Sequence, residues 1–379
     1  MKFKTAFPLM ISIFLLTGCW GAQNIDHLVY VDSIGVDYKD DHFIVYVQLF
    51  SFTGLAKVET GGTQEKTSVV VGKATGETFN IATDKLYTSI QRRVSWGHAK
   101  SIVFTKRALK KAVLQDVLDV LNRYNEIRHT IWVYATDEPL KKLFETTPFL
   151  HTTPYYSLLS NPEEIFKQSS FIRPIRLNLF IADINEASKT ARLPYLNITT
   201  RNWEENNKEK SMLNLKGICF VDHYELQKCI DRSKLLGIRW LEKKISRTPI
   251  YVKKGNKVVA SINVLNPNSK ISYQIKGNTP VFNIEVSGSG SVLELREKLT
   301  ETQLIRLAQK AVEDEIRSLY KLGIKYDIDI LNLSEVMYRK NSEDWKKFSE
   351  NGKIPLTDEN LKKIKVEISI DTSGKEKLR

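Results

Sequence analysis

The chain has 379 residues, of which 42% are hydrophobic, 10% aromatic and 27% charged; this composition excludes a collagen-like, mucin-like or wholly disordered protein. The length suits two or three domains and excludes a single small module. Lys and Arg number 57 against 44 Asp and Glu, a formal charge of +13, which favours an anionic neighbour such as a membrane surface, a wall polymer or nucleic acid without choosing among them.

The N-terminus reads Met1-Lys2-Phe3-Lys4, an apolar run from Ala6 to Leu16, then Thr17-Gly18-Cys19. The run is shorter than the roughly 20 residues of a permanent membrane helix and ends in small residues at a cysteine, the layout of a secretion signal. Leu16-Thr17-Gly18-Cys19 resembles the bacterial lipobox, whose small residues let the signal peptidase reach the bond before a diacylated cysteine. Residues 1–18 are therefore expected to be removed, with Cys19 as the lipid anchor. Losing Lys2 and Lys4 lowers the charge from +13 to +11, so a basic body beside anionic lipid would reinforce the anchor.

Along the mature chain, Leu28 to Val36 and residues 42–50 are β-like around a Lys39-Asp40-Asp41 turn, which predicts a hairpin. Residues 54–68 read as a loop. From Phe79, the residues Ala82, Leu86 and Ile90 recur at helical spacing, predicting a helix up to Arg92-Arg93, with a strand at Ser101 to Thr105. Leu109, Val113, Val117, Val120 and Leu121 predict a second helix, followed by a strand from Thr130 to Ala135. Pro148, Pro154, Pro162, Pro174 and Pro194 mark a less regular connector. Asn202 to Lys210 is polar and suits a loop or hairpin tip.

Beyond it, β-like runs at 212–221, 257–265, 270–276 and 281–287 read as a meander. Thr300 to Gln303 has capping-box spacing, and Leu304, Ala308, Ala311, Val312, Ile316 and Leu319 form the stripe of a long helix expected to stop at Gly323. Ile364 to Ile370 predicts a last strand. The whole is an α+β, three-domain chain with mixed or antiparallel sheets flanked by helices. The domains are expected at 19–150 (α/β), 208–295 (β-rich) and 296–379 (helix plus strand), with the connector at 151–207.

Catalytic patterns are sparse. Six histidines are scattered, with no His-Glu-x-x-His, no Gly-x-Ser-x-Gly and no phosphate loop. Paired carboxylates such as Glu204-Glu205 lie in solvated, charged surroundings. Cys219 and Cys229 suit either a disulfide or two buried thiols on adjacent strands, and their spacing is not that of a metal site. No cofactor is expected.

The most informative segment is Gln91 to Lys100. Arg92, Arg93, Trp96, His98 and Lys100 suit an anion or partner contact, since an Arg fork and a Trp face are common interface anchors. The alternative is that the arginines close a helix while Trp96 and His98 pack beneath the sheet. Here the chain resembles a known family. Trp96-Gly97-His98-Ala99-Lys100 and Asn125-Glu126-Ile127-Arg128-His129-Thr130-Ile131-Trp132 are similar to the C-subunit (GerC-type) lipoproteins of bacterial spore germinant receptors. So are Ile34-Gly35-Val36-Asp37, Lys216 to Phe220, Leu236 to Leu241, Asp327 to Ile330 and Met337 to Trp345. Ile330 to Leu333 departs from the family's Gly/Phe-rich turn, and Cys219 from its plain hydrophobic residue.

The resemblance implies a non-catalytic lipoprotein on the outer face of the spore inner membrane, partnered by membrane-embedded A and B subunits and not by nucleic acid. A substrate-binding lipoprotein of an importer is the rival reading and would show two doubly wound lobes. A wall-active hydrolase would need a poised carboxylate or metal triad in a cleft.

Overall fold

The computed structural model describes residues 28–50, 69–146 and 156–372. The signal segment, Cys19 and the 54–68 loop lie outside the described residues. In chain order, the first half contains β1 (Leu28–Lys39), β2 (His42–Phe50), β3 (Val70–Gly76), α1 (Phe79–Tyr87), β4 (Arg93–Ser95), β5 (Ser101–Thr105) and α2 (Lys111–Arg123). Then come β6 (Trp132–Thr136), α3 (Leu140–Glu145), α4 (Pro162–Gln168), α5 (Leu177–Asn185) and β7 (Ala191–Thr199). The second half contains β8 (Glu204–Glu205), β9 (Lys208–Glu209), β10 (Met212–Asp222), β11 (Glu225–Asp231), β12 (Arg247–Lys254), β13 (Lys257–Lys276) and β14 (Thr279–Leu295). It closes with α6 (Glu301–Tyr326), α7 (Leu333–Lys340), α8 (Ser342–Phe348) and β15 (Leu361–Thr372).

A nine-stranded mixed sheet runs β11-β10-β7-β6-β5-β1-β2-β3, with β4 beside the start of β1. Its centre is parallel, and β1-β2-β3 and β7-β10-β11 extend it antiparallel. Alternation along β5 and β6 sends Ile102, Phe104, Val133 and Ala135 into one core and Val103 and Tyr134 into another. The first core is closed by α1, α2 and α5. On α2, buried Val113, Val117 and Leu121 belong to the predicted stripe and Leu114 and Leu118 are buried beside them, whereas Val120 is only partly buried and Leu109 precedes the helix. The second is closed by α3, whose Leu140 and Phe144 pack within 3.1 Å of where a Cβ on Gly35 would stand.

The second sheet, β12-β13-β14-β15, is antiparallel except for its last pair. One face packs on α6 through Leu304, Ala308, Val312, Ile316 and Leu319. Both halves of the expected capping box at Thr300 and Gln303 form.

The structure corrects several boundaries. α1 stops at Tyr87, not at Arg92-Arg93, because the Thr88 and Ser89 hydroxyls donate to the carbonyls of Lys85 (2.9 Å) and Leu86 (3.2 Å) and close the last turn. α6 runs through Gly323 to end at Asp327, left-handed at φ 53°. Gly323 instead serves a close approach, since a Cβ there would lie 2.8 Å from the Ile328 carbonyl. The run 212–221 is not part of the second sheet's meander: β10 pairs with β7 and β11 in the first sheet. That sheet therefore spans Leu28 to Asp231, across the boundaries expected at 150 and 207. β10 links the two units, because Cys219 and Val221 face the first core while Ile218 and Phe220 face the core of the second sheet.

Cys219 and Cys229 stand directly opposite in β10 and β11 and are disulfide-bonded. Residues 202–210 form the expected hairpin, with β8 paired to β9.

Candidate functional site

The Gln91 to Lys100 segment forms one edge of the first sheet. Arg93, Val94 and Ser95 pair in parallel with Leu28, Val29 and Tyr30. Arg92, Arg93 and His98 are exposed, whereas Trp96 is 2% exposed. The Trp96 indole Nε1 donates to the Tyr87 hydroxyl at 2.7 Å, and that hydroxyl lies 3.4 Å from the one on Tyr124. Burial, then the Tyr87 contact, raises the Tyr124 hydroxyl well above the usual tyrosine range.

The His98 ring stands edge-on to Tyr30 at 4.7 Å. Partial burial lowers its pKa below the ordinary imidazole value, and the Lys100 and Arg128 charges push the same way. Lys100 ties strands together through its backbone: its N–H donates to the Asp32 carbonyl at 2.7 Å and its carbonyl accepts from Trp132 N–H at 2.7 Å. The five candidate residues thus divide, with Trp96 and the Lys100 backbone holding the sheet and the Arg92, Arg93 and His98 side chains on its surface.

Two carboxylates on β1 are buried: Asp32, which sequence did not single out, and Asp37, which sequence named only as the end of a family-like motif. Asp32 Oδ2 accepts from Ser33 Oγ at 3.0 Å and Ser160 Oγ at 2.9 Å, and Ser101 Oγ donates to Ser33 Oγ at 2.9 Å. Burial pushes the Asp32 carboxyl up to about 6, against the lowering effect of the two serines and Lys100. Asp37 Oδ1 accepts from Thr105 Oγ1 at 2.6 Å and Arg107 Nε at 3.0 Å. The aspartate of the Ile34-Gly35-Val36-Asp37 motif therefore joins β1 to the end of β5. The available signal was an acid within an otherwise apolar strand, a position that requires a partner.

A cleft of about 680 Å³ separates the two units between β7, α5, the Leu236–Trp240 turn and α7. Its three carboxylates, Asp183, Glu242 and Glu335, are each paired with a basic side chain. Arg192 Nη1 lies 2.9 Å from Glu242, and Nη2 donates to the Ile330 carbonyl at 2.7 Å. Lys189 Nζ stands 2.9 Å from Asp183 and 3.3 Å from Glu335. Thr190 N–H donates to Asn332 Oδ1 at 2.9 Å. The arrangement stitches β7 to the α7 entry, where Asp329 caps the helix through the N–H groups of Leu333 (2.9 Å) and Ser334 (2.7 Å). Among the described residues, no three His, Cys, Asp or Glu side chains converge as a metal centre requires, and no helix is long and apolar enough to cross a membrane.

Comparison with known proteins accounts for nearly the whole chain. Residues 21–198 match the family described as spore germination protein N-terminal domain, and residues 216–374 match the spore germination B3/GerAC-like C-terminal family. The interval between them holds the β8–β9 hairpin. The chain is 23% identical to spore germination protein KC of Bacillus subtilis (strain 168) over 92% of its own length and 90% of that protein's. It is 22% identical to spore germination protein YndF of the same organism over 92% and 93%. The crystal structure of the GerBC protein superposes with a TM-score of 0.54 at 14% identity, covering 89% of this chain and 96% of that one, and so shares the fold. The α+β fold, the two matched families and the near full-length relatives together place the chain in the GerC-type family of spore germinant receptor subunits.

Proposed function

We propose that the chain is the lipid-anchored C subunit of a nutrient germinant receptor, held by Cys19 at the outer face of the spore inner membrane and working with membrane-embedded A and B subunits. The observation that supports this best is the join of a lipobox, Leu16-Thr17-Gly18-Cys19, to a body that belongs throughout to the germination family. The role is one of assembly and not catalysis. The cleft between the units suits that role, because its carboxylates Asp183, Glu242 and Glu335 are engaged by Lys189 and Arg192 and hold the two halves in one orientation. The importer reading fits less well: the second sheet has three antiparallel strands and one parallel strand closed by one long helix, not a doubly wound lobe.

The test is purification of the tagged chain from detergent-solubilised spore membranes. Recovery of two membrane proteins with the wild type, and loss of membrane attachment in Cys19→Ala, is the expected result. Recovery of the chain alone, from membranes that retain it without Cys19, would overturn the reading.

A further inference from the structure

The parallel strands β1, β4, β5 and β6 all begin at one edge of the first sheet, with Leu28 in register with Arg93 and both Ser33 and Trp132 in register with Ser101. Exposed Arg93 opens β4, and the loops that reach this edge carry exposed Arg92 and Arg128. His98, beside Tyr30 on the same edge, feels the charges of both Lys100 and Arg128. The acids near them are exposed Glu126, two residues before Arg128, and buried Asp32, which feels the Lys100 charge. The edge is therefore net positive, and β1, whose Leu28 lies nine residues after Cys19 in sequence, begins there. The step from Cys19 to Leu28 covers nine residues, which reach at most about 30 Å when fully extended.

We infer that this edge, centred on Arg92, Arg93 and Arg128, rests on the anionic lipid headgroups of the membrane that holds Cys19. The inference rests on the anchor reading above. The nine-residue step holds Leu28 within about 30 Å of the lipid, and the charge at this end of the sheet is complementary to the bilayer surface. Each arginine beside an anionic surface strengthens attachment about fivefold, so the three contribute about a hundredfold. The contribution falls with added salt. Contact at this edge orients the body, because a lipid chain alone would leave it free to turn on its tether.

The full-length lipid-modified chain is mixed with vesicles of phosphatidylcholine alone, or of phosphatidylcholine with phosphatidylglycerol, and amide exchange is followed in 91–100 and 126–131. The expected result is retention on both vesicles with slowed exchange of these segments only on the anionic ones. The slowing should vanish in 1 M salt and in the variant combining Arg92→Glu, Arg93→Glu and Arg128→Glu, whose exchange elsewhere stays unchanged. Retention on both vesicles with equal exchange overturns the docked edge and leaves the anchor standing. Retention only on anionic vesicles, with the edge protected, overturns the anchor and supports the edge. Retention on neither overturns both. Protection that requires added membrane subunits overturns a lipid contact in favour of a protein one.

Discussion

The indole N–H of Trp96 donates to the hydroxyl of Tyr87 at 2.7 Å, tying the segment after α1 back to the last residue of that helix. This bond separates the structural part of the candidate segment from its surface part. Trp96→Ala should lower stability by about 3–5 kcal/mol, the usual loss for a buried large aromatic. Arg92→Ala, on the exposed side of the same segment, should stay within about 0.5 kcal/mol of wild type. Urea unfolding of both variants checks the contrast, and equal losses would contradict it.

Asp32 makes the fold pH-dependent in a calculable direction. Its carboxyl titrates near 6 in the folded chain, against 3.8 for an unperturbed aspartate. A group whose pKa is raised by folding favours the folded state fully below the unfolded value, and that contribution is lost as pH rises through the folded one. Relative to Asp32→Asn, the wild type should therefore lose on the order of 2–3 kcal/mol between pH 4 and pH 7. Unfolding midpoints of both proteins across that range measure it. A constant difference would contradict the burial of an ionisable Asp32.

The Cys219–Cys229 disulfide closes the β10–β11 hairpin at the edge of the first sheet. By constraining the unfolded chain, a loop of this size contributes about 2–3 kcal/mol. Cys229→Ala should cost that much, and reduction of the wild type should cost the same. A loss confined to Cys219→Ala would point to packing of the fully buried Cys219 instead.

Gly237 lies where the Leu236–Trp240 turn meets α6: a Cβ there would lie 2.4 Å from the Glu315 carbonyl. The approach brings Arg239 within 2.9 Å and the Trp240 Nε1 within 2.7 Å of the Glu315 carboxylate. Gly237→Ala should push the turn off the helix and cost about 2–3 kcal/mol. Gly97→Ala should be close to neutral, since its nearest neighbour stands at an ordinary 3.5 Å. Thermal unfolding of the pair tests whether the backbone contact at Gly237 matters.

Local features were legible from residue patterns: the β1–β2 hairpin, the apolar stripes of α2 and α6, the capping box at Thr300 and the turn at 202–210. Sheet membership was not. β10 is apolar on both faces because Ile218 and Phe220 serve one core and Cys219 and Val221 another, and alternation alone does not say which sheet a strand joins. The end of α1 depends on two hydroxyls returning to carbonyls, which overrides the helical spacing that Ile90 continues. The candidate site was half legible. Trp96 is buried as the alternative reading had it, but His98 is exposed and the arginines lie beyond the helix end at Tyr87, and the partners of Asp32 and Asp37 come from β5 and from chain as distant as Ser160. The disulfide followed from register, which places Cys219 opposite Cys229.

The proposed role makes this chain an indispensable, lipid-held part of a germinant receptor. The most direct measurement is nutrient-triggered release of dipicolinic acid from host spores lacking the gene, beside spores carrying Cys19→Ala. Both should lose the response to particular nutrients while responding normally to a non-nutrient trigger. An unchanged nutrient response in spores that lack this chain and every related C-type subunit would contradict it.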